Sequence, residues 1–321
     1  MRLIADSGST KTDWAWIDEN GEVIASCQSQ GLNPYHLGED EMLRELEGVK
    51  SSLGKELSVV GKTLEAVFFY GSGVTEAMKP KMENLLLQVF PCRECHAESD
   101  MLGAARALFG HGKGIAFILG TGSNNCYYDG EKIVASIPPL GYIIGDECSG
   151  TAIGKEFLRY ILRNPKGALL KKRYFESTGL DYATIINKVY CQPQANRFLA
   201  SISPFVAEII RESSKLDDKI GIDDIEYDES KLSEEESVFY EASFPLVNRI
   251  IDMFEDYFSE IFPIYEDILR EQGVSEEEKV AVGFVGSIAT HFSDFIDCLG
   301  SPFSEAKYVQ SPMEGLITYH S

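Results

Sequence analysis

Three short turns in this 321-residue chain carry the residue types that hold phosphate. The first, Asp6-Ser7-Gly8-Ser9-Thr10-Lys11-Thr12, follows the apolar run Leu3-Ile4-Ala5 and sets an acid, a glycine and several hydroxyls around one lysine. The second, Gly120-Thr121-Gly122-Ser123-Asn124-Asn125, follows Ile115 to Leu119. The third runs from Gly283 to Gly286-Ser287 at the end of an apolar strand. Glycines let backbone amides approach phosphate oxygens closely, and hydroxyls add donors. Asp6, ending a strand, is placed to hold Mg²⁺ through water, because magnesium keeps most of its waters and takes few carboxylates. Any one of these turns is also what a surface hairpin looks like; the three in this order are the specific signal. Known phosphate loops of other kinds are excluded. Gly8-Ser9-Thr10-Lys11-Thr12 has no glycine before its lysine, Gly61-Lys62-Thr63 has Glu56 where a Walker loop needs its first glycine, and no Gly-x-Gly-x-x-Gly is present.

Other polar residues stand at strand ends. Asp100 sits where a short strand, Glu94 to Ala97, passes through Glu98-Ser99 into a small-residue helix, Leu102 to Phe109. A carboxylate there reads as the cap of a helix that begins at Met101. Asn33, Ser72 and Asn124 read as turn residues and Asp146 as a helix-start acid. Lys11 reads equally as a phosphate neighbour and as a solvated lysine at a strand end.

The elements that must position these residues follow from periodicity. Leu3-Ile4-Ala5, Asp13 to Ile17 and Val23 to Cys27 read as strands, the last two joined by the turn Asp18-Glu19-Asn20-Gly21. Met42, Leu43, Leu46, Val49, Leu53 and Leu57 recur at helical spacing, Val67 to Tyr70 is a strand ending in Gly71-Ser72-Gly73, and a helix spans about Glu76 to Phe90. The pattern of strand, glycine–hydroxyl turn, strand and hairpin then recurs from Ile115 to Ser136, a weak internal duplication offset by 114 residues from Asp6 to Gly120. A helix capped by Ser149 and stopped by Pro165 comes next, and Leu216 to Glu236 is an acidic, solvated loop. Phe239 to Phe262 is a core helix with Pro245 and Pro263 marking its ends or a kink. Val280 to Val285, Glu305 to Val309 and a helix from Pro312 to Tyr319 follow. This order describes an α/β protein of two related halves with a cleft between them.

Composition sets limits. A formal net charge of −22 repels nucleic acid and anionic membrane surfaces, so phosphate can bind only where amides, a lysine or a metal ion reverse the field locally. No apolar run reaches the length of a membrane span, and the early Asp6 interrupts any signal-peptide pattern, so a cytoplasmic location is expected. Seven cysteines, an odd and scattered set, read as free thiols. Cys92-Arg93-Glu94-Cys95-His96 has the spacing of a c-type haem attachment site, yet it lacks an export signal and a second ligand pair, and it reads as structural.

Taken together the motifs resemble the BadF/BadG/BcrA/BcrD-type ATPase family, and in particular its N-acetylglucosamine kinase-like members within the actin and sugar-kinase superfamily. Ala5 to Thr12 matches phosphate loop one, Leu119 to Asn124 phosphate loop two, and Val285-Gly286-Ser287 the adenosine loop. Gly141-Tyr142-Ile143-Ile144-Gly145-Asp146-Glu147-Cys148-Ser149-Gly150 matches the family's Gly-Asp-Glu-Gly-Ser-Gly segment. The resemblance implies two ribonuclease H-like (actin-like ATPase) domains, residues 1–110 completed by the terminal helix 311–321, and residues 111–310. They would close on ATP, Mg²⁺ and a sugar, passing the γ-phosphoryl group to a hydroxyl of N-acetylglucosamine or a related amino sugar. It further implies Asp100 as catalytic base and Asp6 as the metal residue. Ser9, Thr10, Lys11, Gly120, Thr121, Gly122, Gly286 and Ser287 would contact ATP. Asn33, Ser72, Ser123, Asn124 and Asp146 would contact the sugar. A homodimer is compatible with the resemblance.

The chain departs from the family pattern in three places. Ser7 stands where relatives have glycine, a mild change if its φ is negative. Pro138-Pro139-Leu140-Gly141 replaces Gly-Gly-Trp-Gly, removing a large packing surface from the implied sugar pocket, and Cys148 replaces a glycine. Two other functions compete. One is an ATPase driving a redox partner, as the family's dehydratase activators do, although Cys126 and Cys148 do not reproduce the cysteine pattern of an iron–sulfur bridge. The other is a non-catalytic sugar or nucleotide sensor.

Overall fold

The structure, a computed structural model, describes residues 1–57, 64–221, 228–275, 278–300 and 305–321. The side chain of Leu57, the Gly61-Lys62-Thr63 decoy and the middle of the acidic segment (222–227) lie outside the described residues.

Strands β1 (Arg2–Ser7), β2 (Lys11–Ile17) and β3 (Val23–Gln30) form a meander, followed by α1 (Glu39–Leu57), β4 (Ala66–Gly71), α2 (Lys79–Val89), β5 (Glu94–Ser99) and α3 (Asp100–Phe109). A second meander follows, β6 (Gly114–Leu119), β7 (Ser123–Tyr128) and β8 (Ile133–Ala135). Next come α4 (Gly141–Ile144), α5 (Gly150–Arg163), α6 (Ala168–Thr178), α7 (Tyr182–Tyr190), α8 (Ala195–Ala200), α9 (Ser203–Ile220) and α10 (Glu234–Glu271). The chain then runs through β9 (Ala281–Val285), α11 (Ser287–His291), α12 (Ser293–Asp297), β10 (Lys307–Val309) and α13 (Met313–Tyr319).

The strands make two five-stranded sheets of one topology, β3-β2-β1-β4-β5 and β8-β7-β6-β9-β10. In each, the first three strands pair antiparallel, and the fourth and fifth lie parallel to the first. This is the two-domain ribonuclease H-like architecture. The duplication read from sequence is therefore real, but its offset is 112 residues, from Ser7 to Leu119, which end the two first strands. Asp6 lies inside β1, one residue before its end, whereas Gly120 lies just beyond β6.

Each sheet buries one face under its own helices. Trp14, Ala5 and Phe69 pack with Met42, Leu46, Val49 and Leu53 of α1 and Met82, Leu85 and Leu86 of α2. Phe117 and Phe284 of the second sheet pack with Phe157 of α5, Val206 of α9 and Phe254 and Phe258 of α10. Helix α3 lies between the sheets. Met101, Leu102, Ala105 and Leu108 meet Ala116, Cys126 and Tyr128, while Ala107 meets Ile4, Tyr70 and Leu316 of α13. Its run of small residues is what lets one helix serve both sheets.

Two expectations change. Pro245 and Pro263 neither start nor stop a helix: α10 runs 38 residues through both. Each proline costs about 3 kcal/mol in a helix interior. Burial of Leu246, Val247, Ile250, Phe254, Tyr257, Phe258, Ile261 and Tyr265 along the same helix offsets that cost. The segment Leu216 to Glu236 is not a single loop either. Leu216 and Ile220 are buried in α9, and a Ser233–Glu236 capping box starts α10.

Candidate active site

Loop one closes tightly at the end of β1. The Gly8 amide donates to Lys11 O at 3.0 Å, and the Gly31 amide to Thr10 O at 3.1 Å. Ser7 is fully buried within β1, without left-handed backbone, so a serine here carries no backbone strain. Its Oγ lies 2.8 Å from Thr12 Oγ1 and accepts from the Leu32 amide at 2.9 Å, while its carbonyl accepts from the Ser72 amide at 2.9 Å. One hydroxyl and one carbonyl thus hold the loop against the segments that carry Asn33 and Ser72. Asn33 Oδ1 accepts from the Tyr35 amide at 2.9 Å, and its side chain lies against the backbone of Gly73.

Three carboxylates gather on this side. Asp6 faces Asp13 across β1 and β2. Asp13 is held between Gln28 Nε2 at 2.6 Å and Lys11 Nζ at 2.8 Å. Burial, then the charges of Asp100 and Asp13, push the Asp6 carboxyl up to about 7, with Lys11 pulling the other way. Lys11, exposed along most of its length, is therefore tied to an acid of this group rather than left free in solvent.

Asp100 is the first residue of α3, but Ser99 is the cap: Ser99 Oγ accepts from the Leu102 amide at 3.2 Å. The capping role that competed for Asp100 is taken by its neighbour. Asp100 Oδ1 accepts only locally, from the Met101 amide at 2.9 Å, and burial pushes its carboxyl up to about 6 against that bond. A carboxyl poised near neutrality is suited to accept a proton.

Loop two is shorter than its sequence reads, because Ser123 and Asn124 already belong to β7. The Gly120 amide donates to Gly122 O at 3.0 Å. The start of α5 braces the turn: the Gly150 amide donates to Gly120 O at 2.8 Å, and Thr151 Oγ1 to Thr121 O at 2.6 Å. Asp146, at φ +60°, lays its carboxylate beside Gly122; burial raises its pKa, opposed by the Ser123 backbone and by Lys155. Asn124 Oδ1 accepts from the Asn125 amide at 2.9 Å. Gly286 reaches φ +122° immediately before α11, and a Cβ there would strike Leu119 O, so only glycine brings this third turn against loop two. Ser287 then begins α11.

The structure thus sorts the expected residues into two groups. Asp6, Ser9, Thr10, Lys11, Asn33, Ser72 and Asp100 lie on the first sheet's side; Gly120, Thr121, Gly122, Ser123, Asn124, Asp146, Gly286 and Ser287 lie on the second's. A direct bond joins the groups, from Arg197 Nη2 on α8 to Ser9 O. Sequence reasoning missed Arg197, Thr151 and Asp13. Only Asp13 left a signal, standing two residues from Lys11 on one strand face.

The haem-like spacing dissolves. Cys95 Sγ points toward α2, donating to Glu83 O at 3.8 Å, whereas His96 lies on the other face of β5, stacked on Phe68 at 5.6 Å. Among the described residues no group of three or more His, Cys, Asp and Glu side chains is arranged to hold a metal. The donor set nevertheless fits a dication held through water: Asp6 is a crowded carboxylate whose charge the neighbouring acids disfavour, and a cation relieves that repulsion. No described helix is long and apolar enough to cross a membrane.

Comparison with known proteins agrees with this geometry. A solved structure described as "Putative N-acetylglucosamine Kinase" from Porphyromonas gingivalis is 34% identical, with a TM-score of 0.78, covering 100% of this chain and 98% of the other. A second of that description, from Chromobacterium violaceum, shares the fold at 16% identity, TM-score 0.67 and the same coverage. The ethanolamine utilization protein EutJ of Carboxydothermus hydrogenoformans shares it at 13% identity and TM-score 0.53, over 99% and 89% of the chains. A comparison with curated proteins finds no match. The model of the BadF/BadG/BcrA/BcrD ATPase family matches residues 5–220. With loop one, loop two and Gly286 brought together on duplicated sheets, the chain belongs to the BadF/BadG/BcrA/BcrD ATPase family.

Proposed function

We propose that this chain is an ATP-dependent sugar kinase that phosphorylates a hydroxyl of N-acetylglucosamine or a related amino sugar. The observation that carries this reading is the pairing of two glycine–hydroxyl turns, each ending the first strand of its sheet, with Asp100 beside the first. Amides and hydroxyls at Ser9, Thr10, Thr121 and Gly122, with Lys11, hold the triphosphate, Gly120 closes the turn that presents them, and Gly286-Ser287 takes the adenosine. Asp6 would hold Mg²⁺ through water, and the bound ion would supply charge neutralisation on the phosphates.

Asp100 takes the proton of the sugar hydroxyl as the phosphoryl group moves. Asn33, Ser72, Ser123, Asn124 and Asp146 orient the sugar. Exposed Leu140, Ile143 and Ile144, which precede Asp146 in the chain, offer apolar surface suited to an acetyl methyl. The halves divide at residues 110 and 111, and α13 completes the first by packing on Ile4, Ile17 and Ala107. Burial of Cys126 and Cys148, which pushes both thiols up, favours this reading over a redox activator bridged by thiolates.

The test is a radiolabelled-ATP screen across N-acetylated and free hexoses. Label transfer to N-acetylglucosamine or a close relative is the expected result. Transfer to none of them, with ATP still hydrolysed, overturns it.

A further inference from the structure

Arg197 stands on α8, 188 residues from Ser9 in sequence, and its guanidinium reaches the carbonyl of loop one. Helix α8 is itself fixed to loop two. Leu199 is buried in the second sheet's core. Thr151 Oγ1 donates its one proton to Thr121 O of loop two at 2.6 Å, and Asn196 O of α8 shares that proton at 3.2 Å. A continuous path therefore runs from Thr121 through Thr151, Asn196 and Arg197 to Ser9, spanning the two turns. The other arm of the guanidinium, Nη1, donates to Gln194 Oε1 at 3.0 Å. Gln194 precedes the helix in a left-handed conformation, φ +63°, which a non-glycine residue adopts at a cost.

We propose that Arg197 is a positioning residue for phosphoryl transfer, tethering the loop-one peptide at Ser9 to the loop-two scaffold so that both turns face one triphosphate. A planar, always charged guanidinium suits such a tether because it presents several donors in a fixed fork. Here one arm is anchored at Gln194 while the other crosses to Ser9. Charge also matters in a chain of net charge −22, because a cation beside both turns opposes the repulsion that an incoming polyanion meets. The inference rests on the kinase reading for its purpose, but the tether itself is a property of the free protein.

The test uses the full-length protein with Arg197→Gln and Arg197→Lys. Hydrogen exchange without ligand reads the tether: the amides of residues 8–12 exchange faster in Arg197→Gln than in the parent. A nonhydrolysable ATP analogue reads its purpose. Removing a charged hydrogen bond predicts about tenfold weaker binding in Arg197→Gln, with Arg197→Lys recovering part of the loss and sugar binding in the absence of nucleotide unchanged. Unchanged exchange in loop one overturns the tether whatever the nucleotide does. Faster exchange with parental analogue affinity overturns the positioning role, as does an equal loss of sugar binding, which marks general damage. Failure of the parent protein to bind any ATP analogue is a different result: it removes the kinase reading, and the positioning role with it.

Discussion

The two phosphate-loop turns stand on the same strand order, yet they are built from opposite materials. Loop one is an ionic turn. Asp6, Asp13 and Asp100 crowd around it, Lys11 answers one of them, and burial lifts two of the acids toward neutrality. Loop two is a neutral turn whose carbonyls are tied down by Gly150 and Thr151 at the start of α5, with Asp146 set beside it. One scaffold used twice has been divided: the first copy carries charge that is costly in the free protein, and the second carries rigid geometry. A site that must bind a polyanion inside an acidic protein needs both.

Loss of the ionic copy gives the largest effect. Asp100→Asn keeps the size and the local bond to the Met101 amide but cannot take a proton. We expect kcat to fall roughly a thousandfold with affinity for an ATP analogue nearly intact, measured by steady-state assay and calorimetry. In the parent, the competent form is deprotonated, so kcat declines about tenfold per unit as pH drops below about 6, the value to which burial lifts this carboxyl. Near-parental turnover in Asp100→Asn removes Asp100 as the base.

Asp6→Asn sharpens the contrast differently. The folded-state value of Asp6, about 7, lies above its ordinary 3.8, so the folded chain holds the proton more tightly and loses stability as pH rises between these values. The amide abolishes that loss. We expect Mg²⁺-dependent turnover to collapse while the metal-free protein gains roughly 2 kcal/mol at pH 7.5, after discounting for partial exposure, and nothing at pH 4. Chemical denaturation at the two pH values checks it; a destabilised variant at pH 7.5 shows that the acids around loop one are not in conflict.

The smallest effect belongs to the neutral copy. Cys148 sits at φ +58° and is fully buried, its Sγ 3.6 Å from Met253 O. Cys148→Gly relieves left-handed strain of about 1 kcal/mol and leaves a small cavity of similar cost. The melting temperature is expected to move by no more than a few degrees, with kinetics unchanged. A large loss of activity would mean that this segment is as sensitive as loop one.

Much of this division was legible in the chain. Strand, turn, strand and hairpin recur visibly from Leu3 and from Ile115, and Asp100 stands at a strand-to-helix junction where its neighbour Ser99 could be mistaken for a bystander. What stayed hidden depended on tertiary packing. Nothing local marks Arg197, because its partner is a backbone carbonyl at the far end of the chain. Pro245 and Pro263 obey a local rule that burial of eight large side chains overrides in α10. The extent of loop two was misjudged because Ser123 and Asn124 are turn formers by type and strand residues by pairing with Leu119 and Ile118.

The equal strand order of the sheets conceals unequal detours. From Gln30 at the end of β3 to Ala66 at the start of β4 the chain travels 36 residues, but from Ala135 to Ala281, the matching step in the second sheet, it travels 146. Ring-closure entropy alone makes the longer detour costlier by about 1 kcal/mol. We expect β9 to pair with β6 only after α5 to α10 pack together and draw the ends of this detour close. The first sheet has no such wait, and we expect it to mature earlier.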